Sequence, residues 1–138
     1  MDARQSMNER QIITHVRERA DLESTDEARA ATEATLRVLG SRITEPEAED
    51  LAAQLPESFG ADLTRESDVE AGSFDAEEFV ERVGEEEADD PRIDGDDPEV
   101  HAKAVASILT DAVSGGELAG VRAQLPEGYD ELFDPTGS

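Results

Sequence analysis

The two histidines of this chain are the side chains best suited to acid–base or metal chemistry at neutral pH. Neither His15 nor His101 has a second histidine four residues away, and neither belongs to a His-Glu-x-x-His spacing of the kind that zinc hydrolases use. The chain has no cysteine, which excludes thiolate metal ligands, thiol nucleophiles and disulfides. The sequence therefore predicts no catalytic residue, no metal site and no cofactor.

Acidic residues are so numerous that their spacing carries little information about chemistry. Residues 90–101 resemble a calcium loop only faintly, because Arg92 and His101 stand at the third and twelfth positions, where oxygen ligands are needed. Catalysis by a carboxyl group requires an apolar pocket, and a pocket is a property of the fold rather than of the sequence. An enzyme would need a cleft that places His15 or His101 beside a buried carboxylate, and we consider it the least favoured class.

The tetrapeptide Ala-Gln-Leu-Pro occurs twice, at 53–56 and 123–126, and an aromatic residue follows each copy three positions later. Each glutamine is either a polar ligand at a shared cleft or part of a helix-ending device, in which leucine fills the core and proline stops the helix. The aromatic residues either lock the turn onto the core or form an exposed patch for a partner. The candidate inter-repeat or interaction residues are Gln54, Phe59, Gln124, Tyr129 and Phe133.

The two tetrapeptides belong to a longer internal duplication. A shift of 70 positions superposes 53–57 on 123–127 without a mismatch, whereas the first helices align at a shift of 67. Three extra residues within 84–97 of the second copy account for the difference. The sequence thus predicts one domain, 1–138, made of two tandem copies of a helical unit. Its parts are repeat one (7–63), a linker (64–72), repeat two (73–133) and a frayed tail (134–138).

Helical periodicity indicates an all-α fold throughout. Ile12, Val16 and Ala20 recur at helical spacing, and capping residues are predicted at Ser6, Ser24 and Asp75. No strand alternation or hairpin dipeptide occurs. We expect six main helices, three per copy, in a pseudo-symmetric bundle with a shared core. Short helical turns are predicted after each Ala-Gln-Leu-Pro, and a loop over 85–97.

Charge is the strongest compositional feature, because 36 acidic residues against 12 Lys and Arg give a net charge of −24. Such a chain repels itself at ordinary ionic strength, whereas molar salt shortens the screening length to about 3 Å. The periodic hydrophobic fraction of 36% favours a folded protein over an acidic disordered tail. We therefore predict a protein adapted to a high-salt cytoplasm. Binding to nucleic acid or to anionic membranes would need a basic surface and is not expected.

Targeting and membrane segments are not expected either. The start of the chain, 1–11, is polar and has no apolar run of a signal peptide. No stretch approaches the roughly 18 apolar residues of a membrane span. Both observations, together with the absence of cysteine, favour a cytoplasmic location.

The pattern of helices and closures resembles a known family. A short Phe/Ile-x-x-x-Val helix, an Ala-rich helix that ends in a pair of leucines, the Ala-Gln-Leu-Pro closure and the segment Gln-Leu-Pro-Glu-Gly-Tyr-Asp-Glu-Leu-Phe at 124–133 resemble domain-of-unknown-function family 2267 over about 7–133. The resemblance implies an all-helical fold in a small prokaryotic cytoplasmic protein. It implies no functional residues, because the family carries no established activity. The acidity and the near absence of lysine depart from the family's usual appearance and fit a salty habitat.

Three functions remain open at this point. The favoured one is a non-enzymatic interaction or regulatory module that binds a protein partner or itself, since the groove between two helical units suits helix or peptide docking. The alternative is a small-molecule binder that uses the crevice between the two repeats. An enzyme is third.

Overall fold

The computed structural model describes residues 8–65, 75–91 and 98–113, together with 116, 119, 120, 123, 125 and 129. Within these residues every regular element is a helix and no β-strand occurs, which confirms the predicted all-α class for this part of the molecule. The helices are α1 (Glu9–Ala20), α2 (Thr25–Arg42), α3 (Glu45–Ala52), α4 (Glu57–Arg65), α5 (Ala76–Ala88) and α6 (Pro98–Ala112).

Side-chain caps fix where three of the helices begin. Asn8 and Gln11 form a reciprocal capping box at the start of α1, with the Gln11 amide donating to Asn8 Oδ1 at 2.8 Å. The Ser24 hydroxyl accepts from the Glu27 amide, as predicted, and Asp75 caps α5 by accepting from the Glu78 amide at 2.9 Å. The predicted cap Ser6 lies outside the described residues, and the residue that caps α1 is Asn8.

The central helix of the fold is α2, which packs against α1, α4, α5 and α6. Its buried face includes four alanines and Gly40, and these small residues let neighbouring helices approach closely. The closest approach is at Gly40, where a Cβ would lie 2.0 Å from the Leu63 carbonyl oxygen of α4. A residue without a side chain is therefore required at this crossing.

One apolar core runs through the described helices. Its largest fully buried side chains come from α1, α2, α3, α4, α5 and α6 alike. They include Val16, Leu36, Leu39, Leu51, Phe59, Leu63, Val83, Val105 and Ile108. The N-terminal half (α1–α4) and the C-terminal half (α5, α6 and the described residues beyond) thus share a single interior.

Two segments are more helical than the sequence predicts. The loop prediction for 85–97 is wrong at 85–88, since α5 continues through Ala88; Glu87 is held there by a contact with α6 described below. The segment after Pro56 is a nine-residue helix, α4, rather than a short turn, because Phe59 and Leu63 bury one of its faces. The last two residues of α4 fall within the segment predicted as a linker.

The described surface is almost free of large apolar side chains. Val100, at 36% exposure, is the large hydrophobic residue that stands out among the described residues. No described helix combines the length and the apolar character that crossing a membrane requires.

Candidate functional site

The first Ala-Gln-Leu-Pro tetrapeptide forms the tight turn between α3 and α4. The Gln54 amide donates to the Leu51 carbonyl at 3.0 Å, and the Leu55 amide donates to the Ala52 carbonyl at 3.1 Å. The carbonyl of Pro56 accepts from the Gly60 amide at 2.8 Å, so the next helix begins at once. The geometry of the turn is that of a helix-ending device, with Gln54 half-buried beside it.

The two aromatic residues that follow the tetrapeptides are both buried, each with 1% exposure. Phe59 lies in the core. Tyr129 packs edge-on against Phe79, with ring centroids 5.5 Å apart, and its hydroxyl donates to the Asp75 carbonyl at 3.1 Å. The Arg42 guanidinium lies 5.6 Å from the Tyr129 ring centroid. Tyr129 therefore joins α2 of the N-terminal half to α5 of the C-terminal half, and neither aromatic side chain offers an exposed patch.

Burial also changes the acidity of Tyr129. Removal of the phenol from water raises its pKa to about 12, and the nearby Arg42 guanidinium opposes part of this rise. The phenol therefore stays protonated and remains a hydrogen-bond donor at every physiological pH. The other two candidates, Gln124 and Phe133, lie outside the described residues.

A crevice of about 180 Å³ lies between α2 and α5, where the two halves meet. None of the three candidate residues that the structure describes, Gln54, Phe59 and Tyr129, lines it. Its walls are mostly charged, with two arginines and two glutamates, and thus differ from the dry apolar pocket that typifies a drug-like site. The lining residues are Arg37, Val38, Ser41, Arg82, Glu85 and Glu86.

Arg37 lies close to carboxylates of three helices in this crevice. Its Nε lies 3.4 Å from Asp62 Oδ1 of α4, its Nη1 lies 3.4 Å from Glu86 Oε1 of α5, and its Nη2 lies 3.7 Å from Glu33 Oε1 of α2. These distances exceed the 2.7–2.9 Å of a strong charge-assisted bond, and Nε is buried without a hydrogen bond. Arg37 therefore neutralises a group of carboxylates from three helices rather than holding any one of them tightly.

A buried histidine–carboxylate contact joins α5 to α6. His101 Nδ1 lies 2.6 Å from Glu87 Oε2, and the two side chains are only 3% and 5% exposed. The pairing is that of a catalytic or metal-binding histidine with its orienting carboxylate. Both groups are nevertheless almost fully buried.

Sequence reasoning missed this contact, although a signal for it was present. Glu87 continues the buried stripe of Phe79 and Val83 at a spacing of four, and His101 stands four residues before the buried Val105. A polar residue at a core position of a helical stripe needs a partner. Glu87 on α5 and His101 on α6 are two such positions on consecutive helices, and a contact between them could therefore have been predicted.

Side chains that commonly bind metals do not cluster in the described part of the chain. No group of three or more His, Cys, Asp or Glu side chains that could hold an ion occurs there. His15 is half-buried on α1. His101, the residue at the twelfth position of the calcium-like spacing, points to Glu87 instead.

A larger, open pocket of about 570 Å³ lies at the N-terminal ends of α1 and α2. An ion pair between Arg29 and Glu9 crosses it and joins the two helices. No sequence feature pointed to this pocket. Its lining residues are Asn8, Glu9, Arg10, Ile13, Thr14, Thr25 and Arg29.

The described residues thus define an all-helical protein with one continuous core, a buried His–Glu contact and a charged crevice between its halves. The model of the family described as "Uncharacterized conserved protein (DUF2267)" matches residues 9–132, and the chain belongs to that family. No curated protein matches the sequence.

Proposed function

We propose that this chain is a non-enzymatic helical interaction module, built from two copies of one helical unit and adapted to a high-salt cytoplasm. The observation that carries the proposal is the burial of the Glu87–His101 pair. The pair has the chemistry of a catalytic dyad, but it lies inside the protein and joins α5 to α6. General acid–base catalysis requires hydrogen-bond access to the substrate, and side chains at 3% and 5% exposure lack it.

The helix ends and the burial of equivalent positions support the duplication. At the shift of 67 positions, the cap Asn8 of α1 corresponds to the cap Asp75 of α5. At the shift of 70 positions, the last residue of α2, Arg42, corresponds to the last residue of α6, Ala112. Burial also agrees between equivalent positions, as expected of two units built on one plan. The buried pairs are Ile12 and Phe79, Val16 and Val83, Leu39 and Leu109, and Phe59 and Tyr129.

The character of the described surface indicates which contacts a partner would make. A module that docks through an apolar groove normally exposes large hydrophobic side chains, and here Val100 is the one that stands out among the described residues. Acidic side chains dominate the outer faces of α3 and α5. We propose polar, charge-complementary docking to a partner surface rich in arginine or lysine, or association between copies at molar salt.

Association in native salt tests this function. The full chain in molar KCl is expected to show either concentration-dependent oligomers by light scattering or a reproducible, stoichiometric partner by cross-linking and mass spectrometry. A strictly monomeric chain that captures no partner in repeated experiments would contradict the proposal. If the protein had an enzymatic activity that both Glu87→Gln and His101→Gln abolished without loss of folding, it would be an enzyme and the proposal would be wrong.

A second candidate function is a small-molecule binder, and the crevice between α2 and α5 favours it. Its volume of about 180 Å³ would accept a small polar ligand. Ser41 lines the crevice, and its hydroxyl donates to the Val38 carbonyl at 2.7 Å. A ligand screen by thermal shift in molar KCl is expected to find compounds that stabilise the wild type but not Ser41→Leu, which fills the crevice. Equal shifts in both proteins would exclude this site.

A further inference from the structure

We propose that Arg37 is the internal counterion of the joint between the two halves, and that this joint opens first when salt is withdrawn. The inference rests on the proposed adaptation to high salt and names the place in the molecule where the salt requirement is concentrated. It concerns the contacts of α2 with α4 and with α5.

The first argument is the local charge around Arg37. One guanidinium faces three carboxylates, those of Glu33, Asp62 and Glu86, at 3.4 to 3.7 Å. Asp62 and Glu33 are largely buried, with side-chain exposures of 8% and 17%, so water screens them poorly. Without Arg37, three like charges from three helices would face one another at short range. A mobile cation from the solvent would then offset part of the positive charge that is lost.

The second argument is the charge of the helices that meet there. Helix α5 carries six glutamates and one arginine, a net charge of −5. That arginine, Arg82, is held by Glu78 of its own helix at 2.7 Å. Helix α2 is neutral overall, with three acidic residues and three arginines. The pair Arg37–Glu86 therefore places a positive charge of α2 directly against the most acidic part of α5.

The test compares arginines that differ in position but not in charge. Arg37→Gln and Arg10→Gln each remove one positive charge, but Arg10 is exposed at the start of α1. Helical ellipticity of the full chain is followed while KCl is lowered. We expect the KCl midpoint of Arg37→Gln to rise at least about twofold relative to the wild type, because carboxylates from three helices lose a nearby positive charge. Arg10→Gln is expected to stay close to the wild type.

A third variant separates charge from packing. Arg37→Lys keeps the positive charge without the planar guanidinium. We expect its KCl midpoint to lie near that of the wild type. If Arg37→Gln does not fold at any salt concentration, the KCl midpoint of Arg37→Lys still tests the counterion role. A midpoint in Arg37→Lys as high as in Arg37→Gln, or loss of folding in both, would overturn the counterion role.

Hydrogen exchange locates the opening. In wild-type protein just above its KCl midpoint, the amides of α5 are expected to lose protection before those of α1 and α2. Simultaneous loss of protection in all helices would contradict a joint that opens first.

The outcomes distinguish this inference from the function on which it rests. Equal KCl midpoints for Arg37→Gln and Arg10→Gln would show that only net charge matters, and the proposed salt adaptation would stand without the counterion. A wild-type helical signal independent of KCl would remove the salt adaptation itself.

Discussion

At the scale of single residues, Tyr129 links α5 to α2 through three different contacts. Its ring packs on Phe79, its hydroxyl reaches the Asp75 carbonyl, and Arg42 lies over its ring. Only the neutral phenol can donate to the Asp75 carbonyl, whereas the two ring contacts depend on the burial of the ring. Tyr129 is also the single tyrosine of the chain, so its ionisation can be measured without ambiguity.

We predict that Tyr129 ionises near pH 12 in the folded protein instead of near 10.0. Because the folded state binds this proton more tightly, the stabilisation is complete below pH 10 and is lost as the pH rises toward 12. Ultraviolet absorbance of the phenolate during alkaline titration measures the midpoint, and Tyr129→Phe is the control for the loss of stability. A midpoint near 10 in folded protein would contradict the burial of the phenol.

The Glu87–His101 contact allows a second prediction at the residue scale. Removing one member leaves a polar group in the core, and breaking a buried pair costs about 3 kcal/mol. Glu87→Leu and His101→Leu are each expected to lower the free energy of unfolding by about this amount. The double variant is expected to lose clearly less than the sum of the two. Urea denaturation in molar KCl measures all four proteins, and additive losses would mean that the contact contributes nothing.

At the scale of elements, the sequence predicted most helices well but not all of their contacts. Periodicity and caps located α1, α2, α5 and α6, because the apolar residues that form the buried face of each helix recur at helical spacing within its own segment. The length of α4 was missed, since a helix that follows a proline and carries only a few apolar residues depends on packing for its existence. The helical end of α5 was missed because its last buried side chain is a glutamate.

The candidate site was less predictable than the elements. The sequence indicated the positions of Phe59 and Tyr129 but left open whether they face the core or a partner, since spacing alone does not determine burial. The contacts of Arg37 with carboxylates could not be predicted. Asp62 and Glu86 are 24 residues apart and come together only through the packing of α4 and α5 on α2. Contacts between helices distant in sequence have no periodic signal.

The crossing of α2 and α4 supports a prediction at the element scale. An alanine at position 40 would place its Cβ 2.0 Å from the Leu63 carbonyl oxygen, which is backbone and cannot move alone. We expect Gly40→Ala to destabilise the fold by about 3 kcal/mol, as overpacked cores do. The matched control is Gly116→Ala, where a Cβ meets nothing within 4 Å and the change is expected to be neutral or slightly stabilising. Equal melting temperatures for the two variants would contradict the close approach.

At the scale of the whole molecule, the net charge of −24 opposes the compactness that the core favours. We therefore expect low salt to unfold the protein, and a smaller negative net charge to lower the salt concentration that folding requires. The row Glu77, Glu81 and Glu85 on the exposed side of α5 offers a direct test, because glutamates four residues apart repel each other. Replacing all three by glutamine changes the net charge to −21, which is −24 plus 3.

We predict that the wild type loses helical ellipticity on dialysis from molar to millimolar KCl, and that the triple glutamine variant retains it to a lower KCl concentration. Repulsion between unscreened charges is the cause in both cases, since the screening length grows from about 3 Å at 1 M to about 30 Å at 0.01 M. Circular dichroism across a KCl series measures both midpoints. If the triple variant needed as much salt as the wild type, KCl would be acting through preferential exclusion from the surface rather than through screening, and the acidity of the chain would require a different explanation.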